Sequence, residues 1–127
     1  QTIDHIRQLA WTGQHAAAID LASQELGRSR LKRDLQMDLL DLRAESYIAL
    51  GKLDLAMKDA KTMMKVSRTS QVAGLKVQAL NRLALVQMRT GDLKAALKNA
   101  TAAVKASSGD RQSSIENWRT GHLTLRT

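Results

Sequence analysis

The sequence contains no cysteine, no proline and no phenylalanine, and its aromatic side chains are Trp11, Tyr47 and Trp118 alone. Without cysteine there is no disulfide and no thiolate metal site. Without phenylalanine the core must be assembled from Leu, Ala, Met, Ile and Val. Those small and unbranched side chains favour helices. They fit strands poorly, because β-branched and aromatic residues pack best on a pleated sheet. Many thin helix–helix contacts are therefore expected in place of one thick core. No apolar run approaches the ~18 residues that a membrane span requires.

Catalytic and metal-binding patterns are missing as well. His5, His15 and His122 are scattered, so no metal site is expected. No nucleophile elbow, phosphate-binding loop or HExxH pair is present. Asp38, Asp41 and Glu45 cluster on one helix face, with no apolar pocket to shift a carboxylate pKa. The sequence thus points away from an enzyme and calls for no cofactor.

The charge is uneven. The formal net charge is +8, and residues 71–127 carry nine basic against three acidic residues. A basic surface attracts nucleic acid, anionic membrane or acidic peptide, although lysines on solvated helix faces also serve solubility alone. Scarce aromatics disfavour base stacking, so nucleic acid is the weaker expectation.

What the sequence does contain is a repeat. Ala10-Trp11-Thr12-Gly13, Ile48-Ala49-Leu50-Gly51 and Met88-Arg89-Thr90-Gly91 recur at spacings of 38 and 40 residues. Five residues after each Gly comes Ala18, Ala56 or Ala96. Nine residues after it comes Ala22, Ala60 or Ala100, and an apolar residue sits at plus six: Ile19, Met57 or Leu97. Gly past a helix end allows the left-handed backbone that closes the last turn. Two alanines one turn apart flatten one face of the next helix, so that it crosses its partner closely. Ala44 and Ala84 are the matching small residues before Gly51 and Gly91. Apolar residues recur near 3.6 in Leu31, Leu35, Leu39 and in Val72, Leu75, Ala79, Leu83. The expected helices are 2–12, 14–27, 31–50, 53–67, 71–90, 93–107 and 111–126, with Ser107-Ser108-Gly109-Asp110 as the clearest linker.

This pattern resembles the tetratricopeptide repeat. The second unit shows Leu40, Ala44, Tyr47, Gly51, Ala56, Ala60 and Met63 at signature positions. The third shows Leu80, Ala84, Gly91, Ala96, Ala100 and Ala103, and the shortened first keeps Leu9, Gly13, Ala18 and Ala22. The unit is near 40 residues where about 34 is usual. The usual Pro after the second helix is absent, and Arg43 stands where Leu is common. The resemblance implies an all-α fold, a right-handed solenoid of antiparallel helix hairpins with about seven helices. One array would span the chain, with units at 1–30, 31–70 and 71–108 and a partial fourth at 109–127.

The resemblance also implies a site. First helices line the concave side, and their groove positions are Asp38, Asp41, Leu42, Glu45 and Ala49, then Gln78, Asn81, Arg82, Leu85 and Arg89. Trp118, Arg119, His122 and Arg126 would follow in the partial fourth unit. Helix spacing alone groups Asp38, Asp41 and Glu45 on one face, and Arg82 with Arg89 on another. A groove with an acidic and a basic half would take a peptide of mixed charge, unless the two halves pair with each other. The leading expectation is a protein–protein interaction module within a larger, cytoplasmic protein. A regulatory or sensory domain of a multidomain bacterial protein is the second reading, and a nucleic-acid-binding array the third. Trp11 and Trp118 are expected to cover the ends of the stack, and uncovered end helices would invite self-association.

Overall fold

The structure, a computed structural model, describes residues 2–117, with side-chain surroundings for residues 2–108. Among these residues there are six helices and no strand: α1 Thr2–Trp11, α2 His15–Leu26, α3 Arg33–Ala49, α4 Leu53–Arg68, α5 Ala73–Thr90 and α6 Leu93–Asn117.

The three repeated glycines make three copies of one turn. Gly13, Gly51 and Gly91 have φ of +81°, +75° and +89°. Each following residue donates its N–H to a carbonyl five residues back: Gln14 to Leu9 at 2.8 Å, Lys52 to Tyr47 at 2.8 Å, Asp92 to Gln87 at 2.9 Å. The glycine N–H itself bonds three residues back, to Ala10, Ile48 or Met88. This double closure satisfies helix-end carbonyls and needs a left-handed residue between them. The carbonyls of Gln14, Lys52 and Asp92 then accept the N–H of Ala18, Ala56 and Ala96, at 3.0, 3.1 and 3.0 Å. One residue thus ends one helix and starts the next, so the chain reverses at once into an antiparallel pair.

Longer links join the pairs. Residues 27–32 connect α2 to α3, and residues 69–72 connect α4 to α5. Helices α3 and α5 each begin two residues later than the apolar period suggests. Lys32 and Val72 hold extended backbone there, and the Val72 N–H donates to the Ser70 hydroxyl at 3.1 Å.

Packing follows the chain. Every helix lies against the next, and α3 also touches α1 and α5. Helices α2, α4 and α6 make no contact with one another among the described residues. The core is accordingly three small clusters. Ile6, Leu9, Ala18, Ala22 and Leu39 join α1, α2 and α3. Met37, Leu40, Met63 and Ala79 join α3, α4 and α5. Ile48, Ala56, Ala60, Leu83 and Val86 form the third cluster on the same three helices. The repeated Ala18, Ala22, Ala56 and Ala60 are all fully buried, as close helix crossing requires. Each fully buried large side chain, such as Met37 or Met63, contributes about 1.5–3 kcal/mol by leaving water.

Two expectations are corrected. The linker at Ser107-Ser108-Gly109-Asp110 and a new helix starting at 111 do not appear, because α6 runs unbroken from Leu93 to Asn117; the rest of the expected helix, 118–126, lies outside the described residues. Ser, Gly and Asp are poor helix formers but cost only about 0.5–1 kcal/mol each, and no proline forces a stop. Trp11 does not cover an end of the stack: it is 80% exposed. Trp118, Arg119, His122 and Arg126 lie outside the described residues.

Candidate partner-binding face

The first helices of the pairs, α1, α3 and α5, meet along one polar seam. Asp41 on α3 accepts a hydrogen bond from Arg82 Nε on α5 at 2.6 Å. Its other oxygen accepts from Gln78 Nε2 at 3.3 Å, and the same amide reaches Asp38 at 3.1 Å. Asp38 also lies 3.7 Å from Arg7 of α1, which pairs with Asp4 at 3.2 Å. The acidic half of the expected groove and part of its basic half therefore neutralise each other between helices. Asp41 and Arg82 are mostly shielded from water, so this charge-assisted bond fixes the register of α5 on α3.

The remaining expected residues divide clearly. Leu85 is half-buried at the edge of the seam. Glu45, Asn81 and Arg89 are exposed, and neither Glu45 nor Arg89 forms an ion pair among the described residues. Asp41, Gln78, Asn81, Arg82 and Leu85 line a shallow cavity of about 230 Å³ between α3 and α5. Beside it, α5 and α6 enclose a larger, mainly apolar groove of about 410 Å³, walled by Asn81, Leu85, Met88, Leu93 and Leu97 among others. Asn81 and Leu85 belong to both. Of the two arginines grouped on the basic half, Arg82 already holds Asp41 through Nε, whereas Arg89 is exposed.

A second polar node was not anticipated. Arg43 on α3 grips Asp59 on α4 with two bonds, Nε to Oδ2 at 2.9 Å and Nη2 to Oδ1 at 2.6 Å. Its Nη1 donates to the Ser23 hydroxyl on α2 at 3.0 Å, and the guanidinium carbon lies 5.7 Å from the Tyr47 ring centre. The hydrogen bond to Asp59 outweighs the cost of burial and holds the Arg43 guanidinium above its ordinary range. One residue thus ties three helices together, which accounts for a charge beside the buried Ala44. The available signal was a pair of opposite charges at core register, Arg43 before Ala44 and Asp59 before Ala60. His15 adds a smaller tie, its Nδ1 lying 3.0 Å from the buried Ser46 hydroxyl.

No three His, Cys, Asp or Glu residues converge to hold a metal among the described residues, and no described helix is long and apolar enough to cross a membrane. The carboxylates of the seam are satisfied by donors from neighbouring helices. What stays open is a strip of hydrogen-bonding and apolar edge at Glu45, Asn81, Leu85 and Arg89. No protein-family model, curated protein or solved structure matches the chain.

Proposed function

We propose that the chain is a protein–protein interaction module, built as a tetratricopeptide-like array that coils into a right-handed solenoid. Two features support the array. The same turn and the same alanine offsets recur three times, and contacts beyond the nearest neighbour are confined to α1, α3 and α5. Such a stack presents its first helices on one continuous side.

The observation that carries the binding reading is the open strip beside the polar seam. The seam's own charges are spent on each other, while Asn81 and Leu85 line a shallow cavity beside it, and Glu45 and Arg89 are exposed with no ion pair among the described residues. A peptide laid along the edge of α5 meets an amide at Asn81, an apolar side chain at Leu85 and a guanidinium at Arg89, with the acid Glu45 offered by α3. Mixed-charge peptide fits that arrangement, and the paired seam holds the face rigid for it. Catalysis and a resident cofactor form no part of this reading.

The test starts from a random peptide display library selected against the purified chain. The reading expects enriched peptides whose affinity falls at least about tenfold in the double variant Glu45→Lys, Arg89→Glu. Both side chains are exposed, so helicity by circular dichroism should not change. Enriched peptides indifferent to that variant would remove the assignment. Retention on generic RNA that weakens steeply with salt would favour the nucleic-acid reading instead.

A further inference from the structure

Among the described residues, one face of α6 has no neighbouring helix. On α6, Leu93, Leu97 and Val104 are 64%, 70% and 63% exposed, and Ala100 is exposed with them. They recur at i, i+4, i+7 and i+11, so they form one stripe about 16 Å long. Leu93, Leu97 and Ala100 of the stripe form one wall of the apolar groove between α5 and α6, Leu85 and Met88 of α5 stand on the other, and Val104 borders the adjoining cavity with Val77 and Asn81.

The earlier units show what such a groove receives. Leu97 stands where Met57 stands on α4 and Ile19 on α2, six residues after the turn glycine. Met57 is partly buried against the cluster that holds Leu83 and Val86 of α5. The groove between α3 and α4 is thus filled by a helix, α5, which touches both. The α5–α6 groove repeats that interface, and among the described residues no third helix lies in it.

Charge specifies the occupant further. Where α5 docks on α3, the acidic edge at Asp38 and Asp41 meets Gln78 and Arg82. The edge that α5 itself offers is basic through Arg89, and the outer flank of the α6 stripe carries Lys94, Lys98 and Lys105, all exposed. No acidic residue lies between Leu93 and Ser108. We infer that the α5–α6 groove is a docking site for an amphipathic helix of another protein, with an apolar stripe bordered by acidic residues. A second copy fits less well. Two α6 helices would bring their lysines together, and the exposed face of α1 carries the polar Asp4, His5 and Gln8, with Trp11 as its single large exposed apolar side chain. A bilayer is flat, whereas the site is a groove between two helices.

The probe is a designed amphipathic peptide of about 18 residues, long enough to hold helix. It carries leucines at i, i+4, i+7 and i+11 with flanking glutamates; a matched peptide carries lysines in their place. Fluorescence anisotropy on the full chain should show the acidic peptide binding at least about tenfold tighter than the basic one. Leu97→Asp should weaken it at least about 30-fold, since it puts a charge into the apolar contact. The triple variant Lys94→Glu, Lys98→Glu, Lys105→Glu should reverse the preference toward the basic peptide. Equal binding of both peptides, or indifference to Leu97→Asp, would overturn the proposal. So would an α6-dependent dimer in sedimentation, or capture of anionic vesicles but not of peptide, each abolished by Leu97→Asp. Leu97 lies outside the strip beside the seam, so loss of the helical peptide in Leu97→Asp with the display-selected peptides retained separates this site from the proposed one.

Discussion

Helices α4 and α6 start from the same turn and carry the same alanine offsets, yet they end in different surroundings. On α4, Ala56 and Ala60 are fully buried and Met57 is partly covered. On α6, Ala96 keeps 8% exposure, Ala100 is exposed and Leu97 is 70% exposed. The local sequence is equivalent; the difference is α5, which lies over α4, whereas no described helix lies over α6 on that side. In a repeat array, burial at a given offset belongs to the interface between units and not to the unit alone.

The eighth residue after the glycine breaks that comparison most sharply. On α4 it is Asp59, buried with Arg43; on α6 it is Asn99, which donates to Gln87 at 2.8 Å. Replacing Asp59 with Ala leaves a shielded guanidinium without its partner and should cost about 3–5 kcal/mol in urea unfolding. Replacing Asn99 with Ala should cost about 1 kcal/mol, as for a neutral hydrogen bond near the surface.

Apolar truncation should follow the same division. Met63→Ala on α4 removes a fully buried side chain and should lose about 2–5 kcal/mol. Leu97→Ala on α6 should stay within about 0.5 kcal/mol, because the side chain is already in water. Thermal unfolding of the two variants beside the parent chain checks both. Enlargement gives the reciprocal result. Ala60→Leu should destabilise by about 1–3 kcal/mol by forcing α4 and α5 apart, while Ala100→Leu should be nearly neutral. The turns sharpen the comparison by not differing. Gly51→Ala and Gly91→Ala should each cost about 1–2 kcal/mol, since both place a Cβ at positive φ and neither meets a neighbouring atom.

These contrasts also separate what the sequence discloses from what it hides. The turns were legible because a left-handed residue followed by two spaced alanines has one local meaning, and Gly13, Gly51 and Gly91 all carry it. The end of α6 was not. Ser107-Ser108-Gly109-Asp110 reads as a break from propensity, but weak helix formers stop a helix only when something else competes for the backbone. At the binding face, helix periodicity correctly grouped Asp38 with Asp41. It could not reveal that Asp41 reaches Arg82, because side chains forty-one positions apart meet only through packing of α3 on α5. Arg43 was legible as a departure from the repeat pattern and not as a bond to Asp59, for the same reason.

Native-state hydrogen exchange tests the central claim most directly, on the Leu97→Asp chain so that no partner or second copy shields α6. If the covering helix sets burial, amides at Ala60 and Met63 should exchange at least about 100-fold more slowly than those at Ala100 and Val104. Equal protection of the two helices would contradict the account, because equivalent sequence would then suffice without a neighbour.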